Sequence, residues 1–136
     1  EVAAARLTLL CVQLRRALDG QLPADESGAA NRIRRSLEYI HSHYAEPVTV
    51  AQLADMEHLS ASRFSAAFRQ STGVSPRAYL IALRIRMAAD MIRRTDLGFK
   101  QIARNVGYED PLYFSRLFRA HTGLSPRRYR EDFGGG

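Results

Sequence analysis

Tryptophan is absent from this 136-residue chain, and there is one cysteine and one lysine. A lone Cys11 forbids an internal disulfide and a four-ligand zinc site. It lies on an apolar helical stripe and reads as a packing residue. No apolar run approaches the ~18 residues of a membrane span, so no membrane partner is expected. Also missing are a phosphate-binding glycine loop, a nucleophile elbow and a paired carboxylate site. His41 and His43 lie two apart on a helix and point to different faces, which makes a poor metal site. The reading is a non-enzymatic protein without metal or cofactor. No segment alternates at period two long enough to make a strand, so the chain reads as all-α.

Lysine is scarce because arginine has taken its place: Lys100 stands against nineteen arginines, and the formal net charge is +6. The planar guanidinium suits bidentate recognition of phosphates and base edges. The charge is also unevenly placed. Residues 1–58 hold six basic residues against eight acids, whereas residues 59–136 hold fourteen against six. At this length a chain buries roughly two-thirds of its unfolded surface, enough for a core without staples. The first residue is Glu1, which suggests a piece of a longer protein.

Residues 2–19 place Leu7, Leu10, Cys11, Leu14 and Leu18 on one stripe, an amphipathic helix that Gly20 ends. Residues 21–30, QLPADESGAA, read as a linker. Asn31 can cap a second helix carrying Ile33, Leu37, Ile40 and Tyr44, which Pro47 stops. Thr49 caps a short helix at 50–56 that turns Leu53 and Ala54 inward. Ser60 caps another at 61–71 with Phe64, Ala67 and Phe68 as its buried face, and Gly73 terminates it. Ser75-Pro76 starts a helix reaching Arg94, with one stripe of Leu80, Leu83, Met87 and Met91 and another of Ile81, Ile85, Ala88 and Ile92. A helix apolar on two sides bridges two packed bodies. After Gly98 come a short helix at 99–105, a turn at Val106-Gly107-Tyr108, and Asp110-Pro111 opening a helix through His121 with Phe114, Leu117 and Phe118 inward. A last helix from Ser125-Pro126 ends near Asp132, and 134–136 is a tail.

Part of this chain is written twice. Residues 63–80 and 113–130 share ten identities in eighteen, including the Thr-Gly-x-Ser-Pro-Arg exit. Each copy is a short helix, a tight turn and a second helix, the layout of a helix-turn-helix whose second helix enters the major groove. Gly107 supplies the permissive turn residue in the second copy, and His58 takes that place in the first. The offset is 49 before the turn and 50 after it, so the second copy has one extra residue where its recognition helix begins. The expected organisation is a first helix-turn-helix subdomain at 31–75, a bridging helix at 76–95 and a second subdomain at 96–133. Nineteen helical residues, 76–94, span roughly 28 Å, comparable with the ~34 Å between successive major grooves on one face of DNA.

Residues 33–133, about three-quarters of the chain, resemble the DNA-binding domain of the AraC/XylS family of bacterial transcription regulators. The second copy carries most of the resemblance, with Ile102-Ala103, Val106-Gly107-Tyr108, Tyr113-Phe114-Ser115-Arg116-Leu117-Phe118-Arg119 and Gly123-Leu124-Ser125-Pro126-Arg127-Arg128-Tyr129. The resemblance implies a seven-helix bilobed domain in the bacterial cytoplasm, at the nucleoid, contacting promoter DNA and RNA polymerase. It also implies a separate N-terminal sensing domain, of which residues 1–20 look like the tail and through which the full-length protein could form a homodimer.

With Phe64 and Phe68 inward, the first recognition helix exposes Ser62, Arg63, Ser65, Ala66 and Arg69. Ser62, Ser65 and Ala66 match the family's base readers, while Arg63 and Arg69 suit phosphates. The second exposes Leu112, Tyr113, Ser115, Arg116 and Arg119. Arg116 is the strongest candidate because arginine pairs bidentately with guanine; Arg119 suits a phosphate. Pro111 replaces the polar residue common at its position. The helix starts after Ser-Pro are phosphate seats, with Arg77 at the first and Arg127, Arg128 and Arg130 at the second. The combined reading is an effector-responsive regulator, an activator, that binds double-stranded DNA in successive grooves, with the second copy the sharper reader. One rival is a basic helical protein-interaction module. The other, a DNA-modifying or repair enzyme with such a domain, would need a cluster of reactive cysteines.

Overall fold

Seven helices follow one another in the described residues: α1 (Ala29–His43), α2 (Val50–Met56), α3 (Ala61–Thr72), α4 (Pro76–Arg94), α5 (Phe99–Asn105), α6 (Pro111–Thr122) and α7 (Pro126–Phe133). The computed structural model describes residues 29–134, with side chains from residue 32. No strand occurs among them. The expected helix at 2–19 and the linker at 21–28 lie outside the described residues.

Most boundaries follow from local chemistry. The Thr49 hydroxyl accepts from Gln52 N–H at 3.2 Å while the Gln52 side chain accepts from Thr49 N–H at 3.0 Å, a reciprocal capping box. Ser60 Oγ accepts from Arg63 N–H at 3.2 Å to open α3. In the second copy Asp110 Oδ1 takes that role for α6, accepting from Leu112 N–H at 3.0 Å ahead of Pro111. Ser75 and Ser125 open α4 and α7 in one way, each Oγ accepting at 3.2 Å from the N–H three residues on, Ala78 and Arg128.

The exits of the two recognition helices coincide closely. Gly73 and Gly123 hold φ of +85° and +83°, and their N–H groups donate to Arg69 O and Arg119 O at 2.8 Å. The preceding threonine seals each end. Thr72 Oγ1 donates to Phe68 O at 2.8 Å and accepts from Val74 N–H at 3.3 Å; Thr122 repeats this with Phe118 O at 2.8 Å and Leu124 N–H at 3.2 Å. The tight turns also match. Leu59 N–H donates to Ala54 O at 3.0 Å and Tyr108 N–H to Ala103 O at 2.8 Å. His58, with φ of +57°, is the one non-glycine with positive φ among the described residues, and Gly107 has +105° in its place. Leu59 pairs with Tyr108 but Ser60 pairs with Asp110, so the extra residue of the second copy is Glu109.

The structure divides into two compact units within α4, residues 29–81 and 82–134. In the first, α1, α2 and α3 pack on one another around Ile33, Leu37, Ile40, Leu53, Ala54, Phe64 and Phe68. Tyr79 is fully buried there, edge-on to Phe68 at 5.4 Å, with its hydroxyl 2.7 Å from His41 Nε2. In the second, α5 and α7 both pack on α6, and the buried residues include Leu83, Ile85, Ala88, Ile92, Ile102, Ala103, Val106, Phe114 and Phe118. Burying a side chain of the Phe or Leu type contributes roughly 1.5–3 kcal/mol, so these rows hold each unit together.

Several sequence expectations shift. The helix α1 begins at Ala29, so Asn31 lies inside it instead of capping it, and the linker ends two residues earlier than expected. Ala29 and Ala30 are strong helix formers, which explains the extension. The helices α3 and α6 each run one residue further, to Thr72 and Thr122, because the threonine hydroxyl bonds back onto its own helix. Leu117, expected in the core, is half-buried. The position pairs with Ala67, which is 6% exposed; leucine has three more carbons to cover than alanine.

Candidate nucleic-acid interface

The inward rows of α3 and α6 dictate what is left outside. Phe64, Ala67 and Phe68 are buried at i, i+3 and i+4 of α3, so the opposite arc points away from the first unit's core. On that arc Ser62, Arg63, Ala66 and Arg69 are exposed and Ser65 is half-buried. The helix α6 repeats the pattern in the second unit. Leu112 is 70% and Tyr113 42% exposed; Arg116 and Arg119 are exposed and Ser115 is half-buried. Ser65 and Ser115, at equivalent positions, therefore sit at the edge of each outward surface. On each helix the expected base readers and flanking arginines share one outward arc.

Tyr113 does not stand alone. Its ring meets Tyr108 edge-on at 5.8 Å, and Tyr108 in turn lies 6.1 Å from Phe114 and under the Arg84 guanidinium at 5.0 Å. A cation above an aromatic face is favourable, so Arg84 helps to hold the ring that steadies Tyr113. In the sequence Tyr108 reads only as a turn residue. An aromatic beside the turn glycine was the available signal, but its partners come from two other elements, α4 and α6.

The arginines expected on phosphates fall into three groups. Arg63, Arg69, Arg77 and Arg119 are exposed. Arg127 and Arg128 are exposed too, but pair along α7 with Glu131 at 3.5 Å and Asp132 at 3.4 Å. Exposed i,i+4 pairs of this kind are worth ~0.3–0.5 kcal/mol, so such arginines can be redirected to another anion at little cost. Arg130 departs from the expected role. Its Nε donates to Ile92 O at 3.2 Å, and one terminal nitrogen donates to Thr95 O at 3.2 Å and Leu97 O at 2.8 Å. These contacts turn its fork into the protein, because the connection after α4 passes directly beside α7.

Two cations escaped the sequence reading. Lys100 and Arg104 are exposed on α5, the first helix of the second motif, and the first helix of such a motif crosses the DNA backbone. At the 49-residue offset that holds before the turn they stand against Ala51 and Asp55 of α2, so the first helices of the two copies differ in charge in the sequence itself. Two further groups are perturbed. Burial lowers the His121 pKa. Desolvation raises that of Glu57, against the opposing pull of Arg35 and His58, and its Oε2 is buried with no hydrogen-bond partner among the described residues.

The helix-turn-helix domain family matches residues 53–132. Among curated relatives, the arabinose operon regulatory protein of Escherichia coli K12 is 39% identical over 101 residues, covering 74% of this chain and 35% of that protein. The transcriptional activator RhaS of Escherichia fergusonii is 34% identical over 122 residues, covering 90% of this chain and 43% of its own length. This chain thus spans less than half the length of either relative. Among solved structures, the C-terminal domain of AraT, a response regulator from Geobacillus stearothermophilus, superposes with a TM-score of 0.73 at 30% identity, covering 77% of this chain and 88% of that one. The DNA-binding domain of AdpA, solved with a target DNA, superposes with a TM-score of 0.71 at 26% identity, covering 75% and 92%. Two helix-turn-helix units with duplicated caps and exits, matched by regulators along the same stretch, lead to one assignment: this chain belongs to the AraC/XylS family of helix-turn-helix transcription regulators.

Proposed function

We propose that the chain binds double-stranded promoter DNA in a sequence-specific manner, α3 and α6 each lying in a major groove, the two grooves successive. The observation that carries this is the matched pair of outward arcs on α3 and α6, short polar or apolar side chains flanked by arginines. Ser62, Ser65 and Ala66 read bases from α3; Leu112, Tyr113, Ser115 and Arg116 read them from α6. Serine can donate or accept at several base edges, the alanine and leucine side chains suit thymine methyls, and arginine suits guanine. Arg63, Arg69, Arg77, Arg119, Arg127 and Arg128 neutralise phosphates. The first subdomain is 31–75, the bridge 76–95 and the second subdomain 96–133. The nineteen continuous residues of α4 between the motifs support readout of successive grooves from one chain.

The wider role is transcription regulation in the bacterial cytoplasm, at the nucleoid, through contact with RNA polymerase, with homodimerisation in the N-terminal region of the full-length protein. Relatives named as transcription activators support activation as its direction. The test is selection of duplexes from a random pool, followed by gel-shift titration of a selected and a scrambled duplex at two salt concentrations. A preference for the selected duplex, with log K falling by about 0.9 per phosphate for each unit of log salt, is expected. Equal affinity for both duplexes would refute sequence-specific regulation. Absence of DNA binding at low salt would favour the protein-interaction module.

A further inference from the structure

We infer that Arg130 is a positioning residue that sets where the second helix-turn-helix begins, an inference that rests on the DNA-binding reading above. The side chain leaves α7 and reaches three carbonyls 33 to 38 residues earlier: Ile92 through Nε, and Thr95 and Leu97 through one terminal nitrogen. Its guanidinium carbon also lies 4.7 Å from the centre of the Phe99 ring. Ile92 is in the last turn of α4, where carbonyls lack helical partners and a cation is favoured. Thr95 and Leu97 belong to the connection that follows, and Phe99 is the first residue of α5. One side chain therefore ties the end of α4, the connection and the start of α5 to α7. A guanidinium does this because it offers several donors in one plane and a flat face to stack, which an ammonium lacks.

The repeat supplies an internal control. Arg130 aligns with Leu80, which is buried and has no donor. At that position the first motif has no such clamp, and the second has one. The helix α5 packs on α6, so the clamp acts on base readout through the scaffold helix, with no contact to DNA needed.

Arg130→Leu, which copies the residue of the first repeat, is the test, made on the present chain where circular dichroism shows it fully folded. In the free protein, amide exchange should accelerate across Phe99–Asn105 and stay unchanged across Ala61–Thr72. On DNA, the preference for a selected over a scrambled duplex should fall about tenfold, the scale of one good base contact, while the salt slope is retained. A slope reduced by about 0.9, equal weakening on both duplexes and unchanged exchange would overturn the inference and make Arg130 a phosphate ligand. If Arg130→Leu does not fold, Arg130→Lys replaces it. Faster exchange at α5 in the lysine variant supports the clamp; wild-type exchange there overturns it, because a point charge would then suffice. A wild-type chain that fails to distinguish the duplexes refutes the DNA reading, and the exchange comparison still decides the role of Arg130.

Discussion

Replacing Thr72 by valine isolates the seal at the end of α3, because valine keeps the shape and removes only the hydroxyl. Thr72 is 6% and Val74 4% exposed, so water has little access to the groups released. The substitution removes a 2.8 Å donation to Phe68 O and leaves Val74 N–H without its 3.3 Å acceptor. A buried donor left unpaired costs ~1–3 kcal/mol, so a loss of about 2 kcal/mol is expected. With a urea m-value of ~2 kcal/mol/M, that lowers the midpoint by about 1 M. Thr122→Val removes the same bonds from α6, but Thr122 and Leu124 are half-buried. Water can serve the freed groups there, and the loss should be ~1 kcal/mol or less. Urea unfolding followed by circular dichroism measures both variants. Equal losses, or a Thr72→Val loss under ~0.5 kcal/mol, would refute the link between burial and the strength of the seal.

Three further outcomes follow from the geometry. Gly123→Ala meets nothing within 4 Å of the added methyl but keeps φ at +83°, so it should lose ~1–2 kcal/mol from backbone strain alone; an unchanged urea midpoint would contradict this. Burial lowers the His121 pKa, so the unfolded chain binds more protons than the folded one between the lowered value and the usual histidine value. Stability should therefore drop as pH falls through that window, and His121→Gln should flatten the drop; an identical pH profile in the two proteins would refute the assignment. Arg116→Ala should relax preference at one base position, whereas Arg77→Ala should weaken all duplexes alike and reduce the salt slope by ~0.9. Uniform weakening from both would make Arg116 a backbone contact.

The elements that were legible in advance depend on neighbours within four residues. Thr49, Ser60, Asp110-Pro111 and the two glycine exits set helix ends through bonds to the adjacent turn, so their spacing along the chain carries the information. The outward arcs of α3 and α6 were legible for a related reason: with the phenylalanines inward, helical periodicity leaves no other place for Ser62, Ala66, Leu112 or Arg116.

The repeat, the caps, the left-handed turn at His58 and the facing of each recognition helix are consequences of local sequence, because short-range hydrogen bonds and a 3.6-residue period decide them. Tertiary structure alone decided that Leu117 stays half-buried where Ala67 is covered, that Tyr108 supports Tyr113 with Arg84 above it, and that Arg130 turns inward. The partners of Arg130 lie 33 to 38 residues away. An arginine on a basic helix looks the same in sequence whether it faces solvent or three carbonyls, and only the path of the chain after α4 distinguishes the two.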